Sequence, residues 1–202
     1  MELLGKSAIL KRLSEDSDKR LRVIPLLEND QVGEVSIDLR LGTDVLVSVL
    51  TRKPYISLVQ GDVGFRGPES YLQTTRRELG DRFVLYPNQV SIATTLEYIA
   101  LPTDVYADVL SRSSYTRLGI HMNTMVQPGF RGCFPLELFN HGNNPVELVV
   151  GSRVCQARLF EISSPAASHT PFRKYFGNVR PVASRAQDDR DIKRLDAVRE
   201  PR

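Results

Sequence analysis

Apolar and polar residues alternate strictly between Val35 and Leu41. Val35, Ile37, Leu39 and Leu41 are set against Ser36, Asp38 and Arg40, the period-two signature of a half-buried strand. Gly42 then reads as a turn, with the following TDVLVSVL as a further β-rich run. From Phe83 the chain is a series of short apolar runs: FVLYP, VSIATT, EYIALP, ADVLS, GCFPLELF, PVELVV and RVCQARLFEIS. Turn residues separate them at Pro87-Asn88, Pro102, Pro128-Gly129, His141–Pro145 and Gly151-Ser152. Short strands at such regular spacing predict an all-β sandwich, jelly roll or barrel. One helix is predicted over Ser7–Leu13, with Ser7 as N-cap and Ala8, Ile9 and Leu13 on one face. The polar segment Thr51–Gly80 reads as a long loop, and Asp188–Arg199 as a charged terminal helix.

Composition narrows the class of protein. The chain has 202 residues, 41% hydrophobic and 25% charged, an ordinary balance for one soluble domain with a tail. A chain of this length buries about 70% of its unfolded surface and needs no disulfide framework to fold. No apolar run approaches a membrane span, and MELLGKSAILKRLSED is not a signal peptide. Two cysteines, Cys133 and Cys155, fit a reducing cytoplasm and read as small core residues. The net charge of +3 is unevenly placed: residues 172–202 carry +4 and the preceding 171 carry −1. A basic tail suits nucleic acid, a phosphorylated small molecule or plain solvation.

No Walker loop, dinucleotide-binding glycine pattern or G-x-S-x-G elbow is present. His121, His141 and His169 have no second ligand at metal spacing and read as structural or solvent-exposed. Two segments stand out. Ser111–Gly119, SRSSYTRLG, gathers Arg112, Arg117, Ser113, Ser114 and Thr116 within six residues, the donor types that match polyphosphate oxygens. Val126–Asn140, VQPGFRGCFPLELFN, carries one carboxylate, Glu137, on the same strand face as Cys133, Pro135 and Phe139. Two readings of Glu137 stand side by side. Pro135 favours an edge strand with Glu137 facing water; alternatively, desolvation raises the carboxyl's pKa and makes it a proton shuttle.

The ordered blocks SIDLRLG (36–42), SRSSYTRLG (111–119), QPGFRGCFPLELFNHGNNPVELVVGSRVCQARLFEI (127–162) and KYFGN (174–178) resemble the dCTP deaminase family of the trimeric dUTPase-like superfamily. The resemblance implies a mainly β, distorted jelly roll or barrel with a short N-terminal helix, assembled as a homotrimer with sites between subunits. It implies a β domain over 1–171 and a tail over 172–202, whose first part, from Arg173 and Lys174, closes over a triphosphate. The implied reaction is hydrolysis of dCTP to dUTP and ammonia, with no cofactor at the base and Mg2+ only as counter-ion of the triphosphate. Glu137 matches the family's catalytic glutamate, Ser113 its water-orienting serine and Arg117 the arginine beside the glutamate. Arg112 and Ser114 match phosphate contacts, the backbone of Pro135 and Leu136 the edge that reads the base, and Lys174 and Asn178 the tail's triphosphate contacts.

Gln127 stands where the family often has an aspartate for the deoxyribose, Asn178 where it usually has a glutamine, and the Gly119–Gln127 stretch is two or three residues short. Feedback inhibition by dTTP is a common family property. Two alternatives to a plain deaminase are kept: a bifunctional enzyme that carries dCTP through to dUMP, and a deoxynucleotide-sensing homologue without turnover. The charges from about Arg185 onward read as a solvated end, with nucleic acid well behind.

Overall fold

Two short strands and a helix open the chain: β1 (Glu2–Leu3), α1 (Lys6–Ser14) and β2 (Arg22–Ile24). They are followed by β3 (Ile37–Ser48), β4 (Leu72–Arg76), β5 (Arg82–Leu85), β6 (Val90–Ala100) and β7 (Val105–Ser111). Next come α2 (Ser113–Thr116), β8 (Ile120–His121), β9 (Asn123–Val126), β10 (Arg131–Asn140), β11 (Val146–Val149), β12 (Arg153–Glu161) and α3 (Arg190–Val198). These assignments come from a computed structural model that describes residues 1–52, 55–60, 65–165 and 174–198.

The main sheet runs β8-β10-β6-β3-β12-β7-β9, with β1, β2 and β4 attached to β12, β6 and β3. β8 and β9 stand at opposite ends of that order, yet only Met122 separates them in sequence. The sheet must therefore curl until its ends meet, and it forms a nearly closed barrel. Ile37, Leu39, Leu41, Phe134, Leu136 and Leu138 point into its core. The predicted mainly β class holds. β5 and β11 form a separate pair that contributes Phe83, Leu85 and Leu148 to the same core. Among the described residues, no helix is long and apolar enough to cross a membrane.

Several expectations change. The first helix spans Lys6–Ser14 with Gly5 as its N-cap, so Ser7 lies inside the first turn and caps nothing. Gly42 is no turn. β3 runs through it, pairing with β12 before it and with β6 after it. A Cβ there would meet the Thr94 carbonyl at 2.8 Å, so glycine is what lets β6 approach at the change of partner. Val35 lies outside the strand and is exposed. Thr51–Gly80 is not all loop: a 3-10 turn at Pro68–Tyr71 leads into β4, which pairs with β3. VSIATT and EYIALP form one strand, β6.

The barrel also buries charge. Glu97 is fully buried; its carboxylate accepts from the Arg40 backbone N–H at 2.9 Å, from Arg40 Nη1 at 3.3 Å and from Gln31 Nε2 at 3.1 Å. Arg12 of α1 is buried against Asp104 at 2.8 Å and also contacts Glu161 at 3.1 Å.

Candidate active site

β10 divides its side chains by the alternation of a pleated strand. Phe134, Leu136 and Leu138 enter the core, while Cys133, Pro135, Glu137 and Phe139 line the opposite face. One edge of β10 pairs with β6 along its length. The other is engaged near its ends, by β8 at Phe139 and Asn140 and by the tail at Arg131 and Cys133. Pro135, which has no N–H to offer, stands between those contacts beside a shift in register with β6. Glu137 is exposed in the single chain, so the edge-strand geometry is the one observed. Its carboxylate accepts a hydrogen bond from the Thr124 hydroxyl of β9.

The tail builds a wall over this face. Gly177 N–H donates to the Arg131 carbonyl at 2.8 Å, and Cys133 N–H donates to the Asn178 carbonyl at 2.9 Å. Phe176 meets Phe130 edge-on with ring centroids 6.5 Å apart. Two cavities result, and Pro135, Glu137 and Tyr175 line both. One, of about 470 Å³, adds Thr124, Met125, Gln127, Phe130 and Lys174. The other, of about 210 Å³, adds Ile92, Thr94, Cys133, Asn178 and Arg180. The Cys133 thiol is pushed up to about 11, chiefly by burial and further by the Glu97 carboxylate. It stays protonated at neutral pH and is no nucleophile.

Gly132 makes this docking possible. Its φ is +141°, and a Cβ on it would stand 2.4 Å from the Asn178 carbonyl oxygen. Gly132→Ala is therefore expected to detach the tail, at a backbone and steric cost of about 1–3 kcal/mol. Limited trypsin digestion should then cut after Lys174 and Arg185 faster than in the wild type while the barrel stays intact. Equal cleavage rates would show that the tail does not depend on this contact.

Of the predicted residues, Glu137, Pro135, Gln127, Lys174 and Asn178 meet at these cavities. The Leu136 side chain is buried in the core, so only its backbone serves the edge. Arg112, Ser113, Ser114 and Arg117 line neither cavity. They surround α2, where Ser113, Ser114 and Arg117 are exposed. Lys174 is paired with Asp189 of the tail itself, and Arg185 donates to the Lys174 carbonyl at 2.7 Å. α3 (Arg190–Val198) follows closely, so the chain from Arg185 to Val198 is folded, though largely exposed. Arg173 and His169 lie outside the described residues.

Sequence reasoning missed Thr124 and Tyr175, although Tyr175 sits within the KYFGN block. It also missed that His121 and His141, distant in sequence, stack edge-on at 5.0 Å on the surface. Among the described residues, no group of three His, Cys, Asp or Glu side chains is placed to hold a metal ion.

The fold is thus a nearly closed β-barrel whose tail walls a cleft around one strand-borne glutamate. A family model described as dCTP deaminase-like matches residues 3–162, and the chain belongs to that family. It is 33% identical over 204 residues to a protein of Methanobrevibacter smithii named "dCTP deaminase, dUMP-forming", covering 96% of this chain and 100% of that one. A protein of the same name from Methanothermobacter thermautotrophicus is 41% identical over 172 residues, covering 81% and 84%. A "dCTP deaminase" of Halorubrum lacusprofundi is 38% identical over 197 residues, covering 93% and 92%. Among solved structures, the 2'-deoxycytidine 5'-triphosphate deaminase from Agrobacterium tumefaciens superposes with a TM-score of 0.56 at 27% identity. That match covers 78% of this chain and 47% of the other, so the chain spans about half the length of that structure.

Proposed function

We propose that the protein deaminates dCTP hydrolytically, with Glu137 as the group that moves protons. The observation that carries this reading is Glu137 itself: a carboxylate on an open strand edge, held by Thr124 and facing two cavities closed by the tail. In this mechanism Glu137 takes a proton from water as the oxygen attacks C4 of cytosine and passes that proton to N3. It then takes the proton of the new C4 hydroxyl and gives it to the amino group, which leaves as ammonia as the C4 carbonyl forms. Water in and ammonia out leave dUTP. Positioning and proton transfer supply the acceleration.

The pyrimidine edge faces the backbone at Pro135 and Leu136, Gln127 and Phe130 lie beneath the sugar, and Lys174 and Asn178 reach the phosphates. Magnesium enters with the triphosphate as part of the substrate. The segment bearing Arg112, Ser113, Ser114 and Arg117 lines neither cavity beside Glu137. In this reading a neighbouring copy supplies it, and the working unit is a homotrimer in the cytoplasm. Lys174 must then exchange Asp189 for a phosphate as the tail closes.

The names of the Methanobrevibacter and Methanothermobacter relatives favour a second reading, in which the same site carries dCTP through to dUMP. One incubation with dCTP separates the possibilities. Ammonia without pyrophosphate is the expected result for a plain deaminase, and ammonia with an equal amount of pyrophosphate identifies the dUMP-forming enzyme. Binding of dCTP with neither product would leave a sensor without turnover and refute both.

A further inference from the structure

The SIDLRLG block has no part in the chemistry above, yet the fold places it directly behind the Arg112 loop. Asp38 of β3 pairs across β12, where Gln156 is its register partner, and β12 in turn pairs with β7, the strand that leads into Arg112. Asp38 Oδ2 stands 3.4 Å from Arg112 Nη2 and 3.8 Å from Arg153 Nη1. Arg112 is held at two further points: its Nη1 donates to the Arg153 carbonyl at 3.2 Å, and its backbone N–H donates to the Val154 carbonyl at 3.1 Å. Arg153 is fixed from its far side by Asp30 at 2.8 Å and by Glu28, which also pairs with Arg40 at 2.6 Å. A ladder of alternating charges thus runs from the buried Glu97 outward to Arg112.

We propose that Asp38 is a positioning residue: it clamps the Arg112 guanidinium against the Arg153 backbone so that the remaining N–H donors are pre-aimed at a triphosphate. This rests on the proposed role of Arg112 in phosphate binding. A free arginine side chain carries about 2 kcal/mol of rotamer entropy, and fixing it before the ligand arrives removes that cost from binding. A lone carboxylate so near a polyphosphate would repel it. Arg153 is already matched by Asp30 and Glu28, so what keeps the loop electropositive beside Asp38 is its second arginine, Arg117. Asp38 is itself only 18% exposed at its side chain, against 39% for Arg112, so the acid is set back and the arginine is presented.

The test is a double-mutant cycle read in equilibrium binding of deoxycytidine, dCMP and dCTP to the full chain. D38N, nearly isosteric, should weaken dCTP binding about tenfold, or about 1.4 kcal/mol, and leave deoxycytidine binding unchanged. In an R112Q background, D38N should cost nothing further, because the residue it positions is gone. Additive losses in the double variant, or equal losses for deoxycytidine and dCTP, would overturn the proposal. D38E, which restores the charge, should recover part of the dCTP affinity, and melting curves of each variant separate this from lost folding. Ammonia release by the wild type tests the deaminase reading separately, since the cycle is legible even in a protein that binds without turnover. A wild type that binds no dCTP would overturn both.

Discussion

Glu137→Gln is expected to lower ammonia release from dCTP by roughly 10³-fold, within the range by which positioned general acids and bases accelerate reactions. The substitution is almost isosteric. A glutamine oxygen can still accept from the Thr124 hydroxyl that now bonds the Glu137 carboxylate, so the side chain should keep its place. It cannot take a proton from water at neutral pH, nor return one to N3 or the departing amine. Because Glu137 is exposed at a strand edge, its replacement should alter stability by no more than about 0.5 kcal/mol. The signature is therefore a collapse in single-turnover rate with an unchanged melting temperature and nearly unchanged dCTP affinity. A variant that still releases ammonia at close to the wild-type rate would remove Glu137 from the chemistry and the present mechanism with it.

Thr124→Val separates position from chemistry at the same carboxylate. It keeps the shape of the side chain but loses the hydroxyl, so the effect should be smaller and should fall on the rate rather than on dCTP binding.

The strand face that bears Glu137 was legible because alternation records one-sided burial. Phe134, Leu136 and Leu138 against Cys133, Pro135 and Glu137 is a period-two pattern, and the structure divides them in that way. The same logic fails where both faces or neither are covered. β4 has a single apolar residue, Leu72, because it pairs on one side only and is largely exposed, so it read as loop. Gly42 carries ordinary turn chemistry, and nothing local says that β6 will pass within contact of it. The tail's place on β10 depends on backbone groups of Gly177 and Asn178 meeting Arg131 and Cys133, contacts that no side-chain pattern encodes. The family resemblance put Glu137 and Ser113 in one site, yet in the single chain Ser113 lines neither cavity beside Glu137; only the proposed homotrimer would unite them.

Arg40 looks in sequence like the polar half of an alternating strand, and Glu97 like the polar first residue of the short strand EYIALP. In the structure they are a buried pair at the centre of the barrel, where β3 leaves β12 for β6. Glu97→Ala is accordingly expected to be the most destabilising of the substitutions considered, by about 3–5 kcal/mol, because it leaves a buried guanidinium short of its counter-charge. The Arg40 backbone N–H and Gln31 Nε2 lose their acceptor at the same time. Arg40 keeps one partner, Glu28, but that acid is half exposed and also serves Arg153. For a chain of this size a loss of 3–5 kcal/mol corresponds to a fall in melting temperature of roughly 6–20 °C. Urea unfolding at one fixed protein concentration measures it without confusing folding with assembly. Glu97→Gln keeps one acceptor oxygen, which can serve Gln31 Nε2 or the Arg40 backbone N–H but not both, since these bond different carboxylate oxygens; it should lose less than Glu97→Ala. If both variants lose equally, the charge on Glu97 is what the barrel requires; if neither loses more than about 1 kcal/mol, the buried pair is dispensable and the ladder that leads out to Arg112 has no anchor in it.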